Sequence, residues 1–197
     1  MAAVDYSIRD LGADVLLIEN LLEPELCTQI IDVAEFCHFE SATILLSAID
    51  TDVRNNGILP LDLRNSVQKS TNDLLVKKIG IVQEALYKTY GIRFPHAETC
   101  SILRYSPSQQ YKRHVDNILL ASRFQEVDQG IPTRDVSIVG YLNEDFQGGE
   151  TFFDRQNLKV KPKMGSAIVF PAYYTHPHQS LPVTHGRKYA WTSWLYH

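Results

Sequence analysis

The chain has 197 residues, of which 44% are hydrophobic and 21% charged, and its formal net charge is -4. This length and composition are typical of one globular domain with a sizeable core, and they exclude a disordered chain. The acidic balance argues against a protein that holds nucleic acid by neutralising phosphates, so we expect no nucleic-acid partner.

Cysteine usage and the N-terminal residues bear on the cellular compartment. The three cysteines are odd in number and form no CxxC pair, so a disulfide framework is not expected. Reduced thiols fit a cytoplasmic protein. Residues 1–14 lack a basic stretch followed by an apolar run, and no apolar stretch is long enough for a membrane span, so we expect neither a signal peptide nor a membrane partner.

The first half of the chain predicts one strand and two helices. Residues 14–19 (DVLLIE) predict a short buried strand, and Pro24 suits the first position of a helix that follows it. A second helix is predicted over about Ser66–Tyr90, with Gly91 as its C-terminal cap. Its predicted apolar stripe consists of Val67, Leu74, Ile79, Val82 and Leu86. The link around residues 51–65 is polar and predicts no regular element.

After Pro95, short strands separated by turn residues replace the helices. Strands are predicted near residues 98–105, 136–142, 150–153, 158–161, 167–170 and 188–196. This pattern favours a sandwich, jelly roll or barrel. We therefore predict an α+β, mainly β fold in a single domain over 1–197, with a helical part over about 1–95 and a β core over about 96–197. Residues 117–135 interrupt the strands and are expected to form a lid over the site.

A possible metal site begins at His114 and Asp116. Residues i and i+2 of a strand point to the same side, so this imidazole and carboxylate could meet one ion. With a second histidine from a distant strand they would form the two-histidine, one-carboxylate set of non-haem iron(II) oxygenases. By itself the HxD pattern is weak, because a surface histidine can simply pair with its neighbouring carboxylate.

Flanking motifs make the pattern specific. The sequence RYSP at residues 104–107, then Tyr111, His114 and Asp116, resembles the entry motif of the prolyl 4-hydroxylase family. Four further motifs follow in that family's order: GGET at 148–151, KPKMGSAIVF at 161–170, HQSLPV at 178–183, and GRKY at 186–189 with Trp194 after it. The resemblance extends over about half the chain, from residue 104 to residue 194.

The resemblance implies a double-stranded β-helix (jelly roll) core with N-terminal helices packed on it. It implies that Fe(II) is bound by His114, Asp116 and His178, with 2-oxoglutarate and dioxygen as co-substrates and ascorbate as a further cofactor. Lys188 lies ten residues after His178, where the family places the residue that binds the far carboxylate of 2-oxoglutarate. Tyr105, nine residues before His114, would hydrogen-bond the same co-substrate, and Ser137 would line its pocket.

Each of these assignments has an alternative. Lys188 could be a solvated lysine on an edge strand, and Tyr105 a core tyrosine. His176 is a rival of His178, because the two would share one face of an extended segment. The spacing to Pro182 and Lys188 selects His178 as the ligand, and His176 could instead line the substrate entrance.

The implied activity is hydroxylation of a C–H bond, most naturally of a prolyl residue in a peptide or protein. A peptide groove could be bordered by Arg113, Arg123, Arg134, Tyr173 and Tyr174, which could equally be ordinary surface residues. Three alternatives remain open: the same chemistry on a free amino acid or other small molecule, a non-catalytic metal-binding β-helix domain, and a structural β-sandwich protein.

Overall fold

A computed structural model describes residues 5–42, 52–117, 127, 128, 130 and 132–197. The elements follow in chain order as β1 (Ser7–Asp10), β2 (Leu16–Glu19), α1 (Pro24–Glu35), β3 (Glu40–Ser41), β4 (Gly57–Pro60), α2 (Ser66–Tyr90), β5 (His96–Ala97), β6 (Ser101–Tyr105), β7 (Tyr111–His114), β8 (Val136–Tyr141), β9 (Gln147–Gly148), β10 (Thr151–Phe153), β11 (Leu158–Val160), β12 (Ala167–Pro171), β13 (His178–Ser180), β14 (Val183–His185) and β15 (Lys188–Tyr196). Most of the predicted lid over 117–135 lies outside the described residues, and it stays a prediction.

The described strands form a large sheet, a four-stranded sheet and a two-stranded one, all with antiparallel pairing. The large sheet has the order β1-β2-β12-β8-β15-β6-β4-β3, and β5 pairs with the end of β15. The second sheet has the order β11-β10-β13-β7, and β14 pairs with β9. This arrangement is the α+β, mainly β architecture that the sequence predicts, although four strands of the first 95 residues also join the large sheet.

Two hydrophobic clusters divide the interior. One lies between the helices and the large sheet and includes Ile30 of α1, Ile79 of α2 and Trp191 of β15. The other lies between the large sheet and the four-stranded sheet and includes Tyr141 and Phe153. The inner strands of the large sheet therefore present one face to the helices and the other to the second sheet, as the two-residue alternation of strands requires.

Helix α2 begins and ends where the sequence predicts. The side chain of Asn65 accepts hydrogen bonds from the backbone N–H groups of Val67 and Gln68, and Gly91 closes the helix at φ 70°. The predicted apolar stripe is partly wrong, because Val67 and Leu74 are exposed. The helix instead turns Leu75 and Asn72 inward.

A hydrogen bond of Asn72 accounts for the face that α2 turns inward. Its side-chain oxygen accepts a 2.9 Å hydrogen bond from the backbone N–H of buried Cys100. A polar contact of this kind, which apolar periodicity cannot show, fixes which face of α2 meets the sheet.

Among the described residues, no helix combines the length and the apolar character that crossing a membrane would require.

Candidate metal centre

The pairing of β7 with β13 brings two histidines together. His114 is the direct cross-strand partner of His178, and their ring centroids lie 4.3 Å apart. Directly opposed residues of an antiparallel pair project from the same face of the sheet. Asp116 follows two residues after His114, and the three side chains offer ligand atoms that all lie within 4.8 Å of one another. We call His114, Asp116 and His178 the triad.

A β-bulge shapes this part of β7. Tyr111 pairs with Ser180 while His114 pairs with His178, so three steps on one strand match two steps on the other. The extra residue lets both aromatic rings face inward. The Tyr111 ring stacks on His114 with 3.5 Å between centroids, and the Arg54 guanidinium lies 4.5 Å from the centre of the Tyr111 ring.

Hydrogen bonds to the backbone fix the tautomers of both histidines. Nδ1 of His114 lies 2.8 Å from the carbonyl oxygen of Lys112, and Nδ1 of His178 lies 3.1 Å from that of His176. Because a carbonyl oxygen can only accept, each Nδ1 carries the proton and donates. In the neutral rings each Nε2 then has a free lone pair, which is the form of histidine that binds a metal.

These lone pairs point at a carboxylate. Nε2 of His114 lies 3.3 Å from Oδ1 of Asp116, and Nε2 of His178 lies 3.6 Å from Oδ2. Facing acceptors repel one another unless a proton or a cation lies among them. Burial lowers the pKa of His178 to about 4, which disfavours a protonated ring. The chemistry of this donor set therefore fits a divalent metal ion.

The Asp116 carboxylate is held as an anion. Burial alone would raise its pKa, but the facing His178 and His114 and the hydroxyl of Ser137 outweigh burial and hold the pKa below its ordinary value. Ser137 is fully buried, and its Oγ donates to Oδ2 of Asp116 at 2.7 Å. The predicted pocket residue Ser137 is thus in direct contact with Asp116, where it orients the carboxylate.

Arg134 donates a hydrogen bond to the backbone at Asp116. Its Nη1 donates to the carbonyl oxygen of Asp116 at 3.3 Å, while Nε and Nη2 donate to the carboxylate of Glu98 at 2.6 and 2.8 Å. The guanidinium also lies 3.5 Å from the centre of the Trp194 ring. Of the other predicted groove residues, Arg113 pairs with Asp154, Tyr173 and Tyr174 are exposed, and Arg123 lies outside the described residues.

Lys188 is buried on the inner face of β15, with 2% of its surface exposed. Its Nζ donates to the carbonyl oxygen of Gly149 at 2.7 Å and to Oγ of Ser180 at 3.0 Å. Burial lowers the pKa of Lys188 to about 7, against the opposing influence of Glu150. Tyr105 is the cross-strand partner of Lys188, and Nζ lies 4.9 Å from the centre of its ring.

The turn that supplies the Gly149 carbonyl depends on glycine. Gly148 and Gly149 have φ values of 75° and 68°, which L residues rarely adopt. A Cβ at Gly148 would also lie 2.3 Å from the carbonyl oxygen of Pro182. Ser180 and the Gly149 carbonyl, which contact Lys188, were not predicted from the sequence. The signal for Ser180 was its position two residues after His178, which places both on one face of a strand.

Both ring nitrogens of His176 form hydrogen bonds with groups outside the triad. Its Nε2 lies 2.6 Å from the carbonyl oxygen of Ala13, so Nε2 donates, and Nδ1 lies 2.9 Å from the hydroxyl of Thr175. Both ring nitrogens are thus engaged outside the triad. His176 is 5% exposed and ties the loop before β2 to the segment that leads into β13, so it does not line an open entrance.

Comparisons with known proteins show the family of this chain. The profile of the 2OG-Fe(II) oxygenase superfamily matches residues 100–196. A putative prolyl 4-hydroxylase of Acanthamoeba polyphaga mimivirus is 30% identical over 189 residues, which cover 91% of this chain and 72% of the viral protein. The chain belongs to the 2OG-Fe(II) oxygenase superfamily. Its likeness to prolyl 4-hydroxylases, which the motifs predicted, is confirmed.

Solved structures confirm the double-stranded β-helix fold of this oxygenase. A viral collagen prolyl hydroxylase from Paramecium bursaria Chlorella virus 1, in its 2OG complex, has a TM-score of 0.68 at 22% identity and covers 93% of this chain and 96% of its own. A Trichoplax adhaerens prolyl hydroxylase, in complex with a peptide fragment of the hypoxia inducible factor oxygen degradation domain, has a TM-score of 0.74 at 18% identity. It covers 93% of this chain and 83% of its own.

The superfamily uses Fe(II), 2-oxoglutarate and dioxygen, and this oxygenase is a dioxygenase of that kind. The residues present fit these groups. Three converging acceptor atoms suit the ion, and a buried ammonium suits a carboxylate of the co-substrate.

A pair of substitutions separates the two neighbouring histidines. We expect His178→Ala to lose bound metal, because two protein ligands would remain. His176→Ala should keep the metal but lower the free energy of unfolding by about 1–3 kcal/mol, because the Ala13 carbonyl loses its donor. Metal content per protein chain and thermal unfolding followed by circular dichroism measure both effects. Loss of the metal from His176→Ala together with its retention in His178→Ala would contradict the assignment.

Proposed function

We propose that this dioxygenase hydroxylates a prolyl residue in a peptide or protein, with Fe(II) bound by His114, Asp116 and His178. The observation that carries the proposal is the triad itself, in which two neutral imidazoles and a carboxylate direct lone pairs at a common point. When bound, Fe(II) with 2-oxoglutarate and dioxygen supplies the oxidation, which yields hydroxylated substrate, succinate and carbon dioxide.

The residues around the triad orient its side chains and shield them from water. The Lys112 and His176 carbonyls orient the two imidazoles, and Ser137 orients the carboxylate. The rings of Phe170 and Phe153 lie 4.7 and 5.6 Å from the His178 ring, measured between centroids. Aromatic walls of this kind exclude water and strengthen electrostatic interactions within the site.

Lys188 would bind the far carboxylate of 2-oxoglutarate, assisted by Tyr105. Across the described residues no carboxylate lies within ion-pair distance of Lys188, and the two oxygens that accept its hydrogen bonds are neutral. A buried cation without a counter-ion is costly, and an incoming carboxylate would relieve that cost. The buried positive charge of Lys188 therefore favours binding of an acidic co-substrate.

The prolyl substrate is supported by the prolyl hydroxylases among the relatives and by the Trichoplax structure with its peptide. The proposal also includes four expectations from the sequence. These are a single domain over the whole chain, ascorbate as a reductant, no nucleic-acid partner and a cytoplasmic location. Free Cys27, Cys37 and Cys100 support that location, because a reducing compartment keeps thiols unpaired.

Product analysis tests the proposed activity. The protein is incubated with Fe(II), 2-oxoglutarate, ascorbate and a set of proline-containing peptides, with free proline and matched alanine-containing peptides as controls. We expect a prolyl peptide to gain one oxygen atom by mass spectrometry, together with formation of succinate. Oxidation of free proline alone would favour the small-molecule alternative, and an absence of succinate under every condition would favour a non-catalytic domain.

Lys188→Ala tests the co-substrate site. We expect binding of 2-oxoglutarate to weaken by about 3–5 kcal/mol, because the far carboxylate loses its buried partner, while metal affinity stays unchanged. Calorimetry without oxygen measures both quantities, the metal affinity by titrating metal-free protein with the metal and the 2-oxoglutarate affinity by titrating metal-loaded protein. The exposed Lys161→Ala serves as the matched control and should bind 2-oxoglutarate normally. Equal affinity in Lys188→Ala and wild type would remove Lys188 from the site.

A further inference from the structure

The outer face of the four-stranded sheet carries exposed cationic side chains around one aromatic ring. Phe152 is the half-buried residue between two buried ones on β10, so alternation turns its side chain outward. Its cross-strand partners are Lys159 and Gln179, and Nζ of Lys159 lies 5.9 Å from the centre of the Phe152 ring. The exposed Lys112 and Arg113 lie opposite Gln179 in the bulge of β7. We call the surface formed by these five residues the basic face.

The basic face lies close to the triad. β7 ends at His114, β10 ends at Phe153 and β13 begins at His178, and these three residues are cross-strand partners in one row. The triad is therefore at one end of the four-stranded sheet, on its inner side. A sheet layer is about 10 Å thick, and an extended chain advances about 3.3 Å per residue. A polypeptide bound at the triad can thus reach the basic face with residues about three or four positions from the target.

Positive charge is in surplus at this end of the sheet. The guanidinium of Arg113 is already paired, since its Nε lies 2.6 Å from Oδ2 of Asp154. Among the residues that the structure describes, no carboxylate lies within ion-pair distance of three further exposed cations, which are Lys112, Arg155 and Lys159. Unpaired cations on one surface attract a partner of negative charge.

This surplus is local, because the chain as a whole has a formal net charge of -4. Glu150 directly precedes β10 and Lys161 directly follows β11, so the next charged positions along these strands cancel each other. Nη1 of Arg155 donates to the carbonyl oxygen of Tyr174 at 2.8 Å, which holds the guanidinium at the end of the sheet where the triad lies.

Lysines on the outer strands of a sheet can serve only to protect its edges, and β7 and β11 are the outer strands here. Two features go beyond that role. Arg155 lies outside the strands, and Phe152 of the inner strand β10 offers an apolar surface between the cations. An apolar centre with cationic sides suits a peptide that has both apolar and acidic residues.

We propose that the basic face binds acidic side chains of the polypeptide substrate, and so selects prolyl residues that have aspartate or glutamate about three or four positions away. This inference rests on the proposed function, since it assumes that a prolyl residue of a polypeptide reaches the triad. It assigns the sequence preference for the substrate to residues outside both the triad and the co-substrate site.

The test uses three peptides that share one prolyl centre and have aspartate, asparagine or lysine at the flanking positions on both sides. Values of kcat and KM are measured from the hydroxylated peptide at low and high salt, with saturating Fe(II) and 2-oxoglutarate. The variants are Lys159→Glu and Arg155→Gln, which keeps a donor for the Tyr174 carbonyl. The control Lys77→Glu changes an exposed lysine of α2, a helix that packs on the other side of the large sheet.

For the wild-type protein we expect a lower KM for the acidic than for the neutral peptide, by about twofold to fivefold for each exposed ion pair formed, and a smaller difference at high salt. Lys159→Glu should abolish this preference and Arg155→Gln should reduce it, in both cases through KM, while Lys77→Glu should keep it. A lysine that only protects the sheet edge would leave the KM values of the three peptides unchanged relative to one another.

That result, or equal wild-type KM values for the acidic and neutral peptides, would overturn the inference alone. An absence of hydroxylation with every peptide would overturn the proposed function as well.

Discussion

The antiparallel register of β7 and β13 is the constraint on which the rest of the site depends. It sets His114 directly opposite His178, and the bulge beside this pair lets Tyr111 face inward as well. A slip of one residue in either strand would turn its histidine to the opposite face of the sheet. The register thus determines whether Asp116, two residues beyond His114, can meet both imidazoles.

The surrounding sheet holds the charged groups that this register brings inward. β15 is the central strand of the large sheet, and alternation along it directs Trp191 to the helices and Lys188 to the inner face. Hydrogen bonds to the Gly149 carbonyl and the Ser180 hydroxyl let Lys188 stay buried there with no carboxylate partner among the described residues. The helices contribute indirectly, since they cover the outer face and leave the inner face for chemistry.

Much of the fold could be predicted because local signals agree with the tertiary structure. The β8 and β15 sequences alternate or run apolar, and Gly91 ends α2 where a left-handed residue is required. The strands β7, β13 and β14 were not predicted, because they are short and rich in histidine and other polar residues. The triad residues and Lys188 were predicted from motif spacing, whereas the contact of Ser180 with Lys188 depends on a neighbour from another strand.

We propose that the triad binds Fe(II) and that a 2-oxo acid chelates the same ion. Anaerobic titration of the protein with Fe(II) and then 2-oxoglutarate, followed by visible absorption, tests it most directly. We expect a weak charge-transfer band that appears when both are present and is absent from Asp116→Ala. A band of equal strength in Asp116→Ala, or no band in wild-type protein shown to contain both, would contradict it.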